Sequence, residues 1–490
     1  MKLDKNSAMK PIKNKVKESL LMGQDKAVGF ARSAASSLEN GVDRLLNRRI
    51  TLGVTGFSGS GKTTLITSLI HQLQHYPDAL LAAFPPVLQD RLLGVKLSVL
   101  DGDTLFPYQR GIDALSRGRW PEATRDESGC LLEIKFRHPP GLFRRGKPGI
   151  SRLYLEIRDY PGEWLLDLPL LAMDYRAWCV QCRSLFNSAM RLSIGRSFIE
   201  KLESIDPFGT ISELELQVLW QEQLTFIKAC QQAGLTMIQP GRWLHASPSD
   251  DESKLPFIPL LSITGRSEDQ LGKAADSALF KVCERHYQRY LENRVKPFYR
   301  NTFQKVDRQL VLVDLLKSLN SGQEAFDDLR FSLTQVLQSF DYGRNSLLRR
   351  LVQPRIDRVV FAASKIDQVL PDQHEAVRGL TANLVQEARR RAAFNAVDVR
   401  CEAVAAVRST TYVDYQGRQA LQGVTEQGPG VLLHPDIPEQ IPAMDDWQAL
   451  GQWQLRRLMP PEGLQLIAGG RLPHIRLDSI LNDLLGDRFS

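Results

Sequence analysis

Long apolar runs are missing from this 490-residue chain. The best candidate, residues 165–173, is short and broken by Asp167 and Pro169, so no membrane-spanning helix is expected. Residues 1–47 hold no apolar core of a secretory leader. Cysteine is scarce: six are scattered along the chain, which suits a reducing compartment. The one close pair, Cys179 and Cys182, lies where Tyr175, Trp178, Cys182 and Leu185 recur at helical spacing. With no further ligand pair nearby, buried helical cysteines are expected there rather than a redox or zinc site. No internal repeat or low-complexity tract occurs, and no Ser/His/Asp or Cys/His set is placed for covalent catalysis. Basic residues interleaved with aromatics on a sheet are also missing, which argues against nucleic acid as a partner.

What is present is the composition of a globular protein, 43% hydrophobic and 24% charged, with length for several domains. The net charge of +7 is uneven: residues 1–49 carry eleven Lys/Arg against five Asp/Glu. Such a segment can attract anionic lipid or an acidic partner, or simply keep a tail soluble.

Residues 56–63, Gly-Phe-Ser-Gly-Ser-Gly-Lys-Thr, match the phosphate-loop pattern, between an apolar run at 50–55 and an amphipathic stretch at 64–73. In that strand–loop–helix setting the backbone N–H groups of Ser58, Gly59, Ser60, Gly61, Thr63 and Thr64 are expected to wrap phosphates at a helix N-terminus. Lys62 would reach the β- and γ-phosphates, and the Thr63 hydroxyl would sit on Mg²⁺. A second carboxylate must hold that metal from a neighbouring strand. Asp-x-x-Gly occurs six times, but only Asp159-Tyr-Pro-Gly162 ends a strong strand run, at 151–159. Asp159 is therefore the expected metal-side acid, with Gly162 sensing the γ-phosphate.

Base recognition is read at Ser364-Lys365-Ile-Asp367, which ends the apolar run 358–363. It resembles the Asn/Thr-Lys-x-Asp signature of GTPases, in which the Asp accepts from guanine N1 and N2. Adenine lacks both donors, so the site would select guanine. Ala405 and Ala406, at the end of the run 399–404, are expected to offer backbone N–H groups to guanine O6. The turn-rich segment 117–124 supplies a switch: Thr124 for the metal, Trp120 against the nucleotide and Arg119 or Arg125 for transition-state charge. Glu163, directly after Gly162, stands where a water-orienting group is needed. Its charge opposes the γ-phosphate, so hydrolysis would be slow. The ligands expected are GTP, GDP and Mg²⁺. An ATPase and a nucleotide-gated scaffold with negligible turnover are the competing readings.

Strand-like runs at 95–100, 131–136, 151–159, 309–316, 358–363 and 399–404 predict an α/β fold, a P-loop domain with a mostly parallel sheet. Between residues 163 and 305 helical periodicity takes over, clearest at 213–232 and 269–296. The expected organisation is a basic tail at 1–23, an amphipathic helix at 24–49, and a nucleotide domain at 50–164 and 305–410. An all-helical insertion fills 165–304, and a strand-and-helix extension closing in an amphipathic helix at 477–485 fills 411–490.

The segments 56–64, 118–124, 159–164, 313–322, 363–367 and 473–478 together resemble the YcjX-like family of bacterial P-loop proteins, and their order follows a Ras-like GTPase plan. The resemblance implies a cytosolic GTPase-like domain with a helical insertion. It also implies a role in envelope-stress responses and a membrane-associated protein partner for the insertion.

Overall fold

A computed structural model describes residues 48–57, 59–100, 104–123, 126–138, 149–245, 255–339, 356–386, 389–390, 397–433, 436–444, 446–450 and 455–489. The tail at 1–23 and positions 24–47 of the helix expected at 24–49 lie outside these residues, and the last two positions of that helix, Arg48 and Arg49, belong to a strand instead. Strand β1 (Arg48–Gly56) leads through the phosphate loop into helix α1 (Lys62–Gln74). Strands β2 (Leu92–Ser98), β3 (Ser128–Arg137) and β4 (Ile150–Asp159) follow. Helices then take over: α2 (Glu163–Leu166), α3 (Tyr175–Phe186), α4 (Glu213–Gln232) and α5 (Leu279–Tyr290) are among them. The chain returns to the sheet with β5 (Arg308–Val313), α6 (Leu315–Asn320), α7 (Gln323–Ser339) and β6 (Arg358–Ser364). Helix α8 (His374–Leu384) and β7 (Asp398–Val404) complete it. A separate antiparallel sheet, β8 (Thr410–Tyr415), β9 (Arg418–Thr425) and β10 (Gly428–Leu432), precedes the closing helix α9 (Leu477–Leu485).

The main sheet has the order β2-β3-β4-β1-β5-β6-β7. Pairing is parallel from β4 to β7, and β2-β3-β4 form an antiparallel edge. The parallel strands are apolar on both faces because both faces are covered. In β5, Leu310 and Leu312 point into a core shared with α1 and α9, while Val311 and Val313 point into a second core with α6, α7 and α8. This is the expected α/β P-loop architecture with an all-helical insertion between β4 and β5. The insertion has its own aromatic core, built around Tyr175, Trp178, Phe257 and Tyr287.

The strands read at 95–100 and 131–136 begin three residues earlier, and two further elements are divided differently from the sequence reading. The apolar run 309–316 is not one strand: β5 stops at Val313, and the Asp314 carboxylate caps α6 by accepting from the Lys317 N–H at 3.2 Å. The helix read at 269–296 is broken. Its first piece ends at Gly272, and the Leu279 and Phe280 N–H groups are taken by the carbonyls of Gly209 and Pro207 (both 2.9 Å). Cys179 and Cys182 lie buried on α3, and burial pushes both thiols well up, away from reactive thiolates. No helix among the described residues is long and apolar enough to cross a membrane.

Candidate functional site

The carboxyl ends of β1, β4, β5, β6 and β7 converge on a cavity of about 870 Å³. Open parallel sheets bind ligands at such ends. Its floor is the phosphate loop. Gly59 (φ +80°) and Gly61 (φ +85°) adopt left-handed backbone, which lets the loop turn tightly around its own N–H groups. Gly61 caps α1 with no side chain, and the first turn carries no acid, so the positive end of the helix faces the cavity uncompensated by its own residues. Gly59, Ser60, Gly61, Lys62, Thr63 and Thr64 all line the cavity, and Ser58 lies outside the described residues.

The Lys62 ammonium is held 2.7 Å from Asp159 Oδ1 and donates to the Tyr160 carbonyl at 2.6 Å. Both charged groups are buried. Gly162 presses on the loop so closely that a Cβ there would lie 2.2 Å from the Gly56 carbonyl oxygen. Next to it, buried Glu163 lines the cavity and accepts from Gln231 Nε2 of α4 at 3.0 Å.

At the opposite end, Lys365 (φ +63°) reaches Asp314 Oδ2 at 2.6 Å, and Ser364 Oγ donates to the Val313 carbonyl at 3.4 Å. Asp367 is buried, and its Oδ2 accepts from the Ser409 N–H at 2.9 Å. Burial pushes its carboxyl up to about 6, against the lowering effect of the Ser409 N–H. Ala405 and Ala406 line the same end. Here one expectation is corrected: the Ala405 N–H donates to the Ile475 carbonyl at 3.1 Å, so it is already committed, and Ala406 is left as the candidate donor.

Of the segment 117–124, expected from sequence to act as a switch, Trp120, Pro121, Glu122 and Ala123 line the cavity. Half-buried Trp120 lines the cavity, with its indole N–H donating to the Leu458 carbonyl at 2.7 Å. Arg119 is exposed and does not line the cavity, which removes it as the nearby charge expected from sequence. Thr124 and Arg125 lie outside the described residues. Residues that the sequence reading missed also line the cavity: Lys317 and Asn320 from α6, Ser409, and the segment 455–458 of the C-terminal extension. Asp314 could have been found by the signal that singled out Asp159, an acid ending an apolar run. Ser409 and 455–458 carry no local signature.

The segment after Gly162 is shared between site and insertion. Tyr160, Leu165 and Leu166 are buried in the insertion's aromatic core, and the Tyr160 hydroxyl donates to Gln309 Oε1 at 2.8 Å. Asp167, fully buried, accepts from the Gly241 N–H (2.8 Å), the Arg242 N–H (3.0 Å) and the Tyr290 hydroxyl (2.5 Å). Burial raises its carboxyl to about 6. The Arg242 guanidinium lies 3.6 Å from the centre of the Trp164 ring.

Comparison with known proteins agrees with this architecture. A family model described as the YcjX-like family, DUF463, matches residues 50–489. A protein of Escherichia coli (strain K12) named Ras-like GTPase YcjX is 37% identical over 458 residues, covering 91% of this chain and 97% of that protein. A protein of Shewanella oneidensis with the same name is 34% identical over 467 residues, covering 91% and 96%. The chain belongs to the YcjX-like family.

Proposed function

We propose that this YcjX-like chain is a guanine-nucleotide switch that binds GTP with Mg²⁺, hydrolyses it slowly, and reports its nucleotide state through the helical insertion. One observation carries the reading: a single cavity gathers Lys62, Gly162, Lys365, Asp367 and Ala406 from four strand ends far apart in sequence. Its volume of about 870 Å³ is in the range of a small-molecule ligand site. The uncompensated helix end and Lys62 suit the phosphates, while the carboxylate of Asp367, braced by Ser409, suits the two donors of guanine. The relatives named Ras-like GTPase support the same assignment.

Mg²⁺ is a hard cation that prefers oxygen, and the residues that would hold it are Thr63, which lines the cavity next to Lys62, Asp159, whose carboxylate is held 2.7 Å from the Lys62 ammonium, and Thr124. Bound there, the ion would neutralise charge on the phosphate oxygens. Lys62 would bind the phosphates, and Glu163 would orient water as a weak, negatively charged base.

The insertion is our candidate output surface, for a protein partner. A shift of Gly162 against Gly56 cannot stay local, because the residues on either side of it are embedded in the insertion core and tied to Gln231 and Gly241. This reading keeps 50–164 and 305–410 as the nucleotide domain, 165–304 as the insertion and 411–490 as the extension. A second reading, a nucleotide-gated scaffold with negligible turnover, draws support from Glu163, whose carboxylate is buried and already bonded to Gln231.

Titration of the purified chain with GTP and ATP tests the assignment. GTP should bind more tightly, and Lys62→Ala should lose at least about 1.5–3 kcal/mol of triphosphate affinity, the scale of one charge-assisted contact. Equal affinity for GTP and ATP would refute the guanine reading, and full-strength binding by folded Lys62→Ala would refute the phosphate-loop role. Phosphate release under single-turnover conditions separates the slow hydrolase from the scaffold.

A further inference from the structure

The cavity's rim includes a short stretch of the C-terminal extension, residues 455–458. It is fixed at both ends to separate parts of the chain. The Leu455 N–H donates to Asn320 Oδ1 on α6 at 3.2 Å, and the Leu458 carbonyl accepts the Trp120 indole N–H at 2.7 Å. Leu458 also bridges to Thr425, and the Met459 N–H donates to the Val424 carbonyl at 2.8 Å, so the stretch continues from the small antiparallel sheet. Between these anchors lie Arg456 and Arg457, both exposed and both lining the cavity. Their backbone position is therefore set by the fold.

The cations of this cavity differ in how their charge is met. Lys62 faces Asp159 at 2.7 Å, Lys365 faces Asp314 at 2.6 Å, and Arg457 faces Glu426 at 3.2 Å, while the exposed Lys317 of α6 has no acidic partner among the described residues. Arg456 instead donates to a neutral group, the side-chain oxygen of Gln427, at 3.1 Å. Among the described residues it has no acidic partner. Releasing a neutral, solvent-exposed hydrogen bond costs little. A guanidinium with unspent charge and a planar fork of donors matches the oxygens of a phosphate.

We propose that Arg456 is a phosphate-binding residue of the cavity, supplied in cis by the C-terminal extension to the polyphosphate chain of the bound nucleotide. The inference rests on the cavity being a nucleotide site. Arg457 has a different part: its ion pair with Glu426 tethers the stretch to the hairpin between β9 and β10. Arg456 thus brings a guanidinium to the cavity from the far end of the chain, whereas Arg119 does not line it.

Equilibrium titration of the full chain and of Arg456→Gln and Arg457→Gln with fluorescent GDP and a non-hydrolysable GTP analogue tests this. Gln preserves a polar side chain at the hairpin and removes the charge. Arg456→Gln should weaken the GTP analogue by at least about ten-fold, the scale of one charge-assisted hydrogen bond. The loss for GDP should be smaller, and the dependence of affinity on salt should become shallower than in the wild type. Arg457→Gln should stay within about three-fold, as expected for an exposed ion pair. Wild-type affinity for the GTP analogue in Arg456→Gln would overturn the proposal, and so would equal losses in both variants, which would mean a loosened segment. If the wild-type chain bound neither nucleotide, the nucleotide reading would fail first and take this inference with it.

Discussion

Gly162→Ala is the most direct probe of how the phosphate loop and the insertion are joined. Gly162 has φ −64° and ψ −27°, ordinary helical values that alanine adopts freely, so the substitution adds no backbone strain. The entire effect is steric. The new Cβ would lie 2.2 Å from the Gly56 carbonyl oxygen, 2.6 Å from its carbon and 3.1 Å from the Phe57 nitrogen. Comfortable contact begins near 3.5 Å, so the two backbones must part by about 1 Å. Gly56 cannot yield easily, because it is paired in register with Leu312 and a Cβ on it would already meet Leu312 and Ser60. Overpacking of this kind costs about 1–3 kcal/mol of stability. The functional cost should be larger, since Lys62 is bonded to Asp159 and Tyr160 on the displaced segment, and a shift of about 1 Å can cost about a hundred-fold where geometry matters. Fluorescent-GDP titration and a thermal melt would be run together, with Gly59→Ala as the contrast. Gly59 has φ +80° but no atom within 4 Å of a Cβ, so it should lose about 1–2 kcal/mol from backbone strain without moving Asp159. A Gly162→Ala protein that melts and binds like the wild type would refute the claim that these two segments are packed without slack.

Asp367→Asn should weaken GDP and GTP far more than ATP, because the amide opposes a donor to guanine's donors. Since burial lifts the Asp367 carboxyl to about 6, wild-type guanine affinity should fall as pH drops through that value, and the part of the dependence missing in Asp367→Asn is Asp367's own; identical pH profiles would show that it does not touch the base. Asp167→Asn should leave one of the N–H donors of Gly241 and Arg242 without an acceptor, costing about 1–3 kcal/mol and speeding hydrogen exchange at 165–170 and 241–245. The Asp167 carboxyl is also raised to about 6, so the folded state keeps a proton that the unfolded chain releases near pH 4. Its contribution to stability is therefore fullest below about pH 4 and is lost as pH rises through about 6, a slope that Asp167→Asn should flatten and that a calorimetric pH series would reveal.

The sequence by itself determined what is encoded within a few consecutive residues. Gly56–Thr64 was legible because a phosphate loop is built from contiguous backbone, and Asp159 because it ends a strand. Helices α4 (Glu213–Gln232) and α9 (Leu477–Leu485) were read to the residue, since each buries one continuous amphipathic face. Local pattern failed at two places, one decided by a neighbouring cap and one by distant carbonyls. Leu315 and Leu316 read as strand until Asp314 turns the chain into a helix, and 269–296 reads as one helix until the carbonyls of Gly209 and Pro207 claim its N–H groups. At the site, tertiary structure alone brings Ser409 to Asp367, commits the Ala405 N–H to Ile475, leaves Arg119 outside and carries Arg456 to the cavity rim. Those contacts join residues scores to hundreds of positions apart. Nothing in the spacing of either partner marks the other, and only the packing of the whole chain brings them within hydrogen-bond reach.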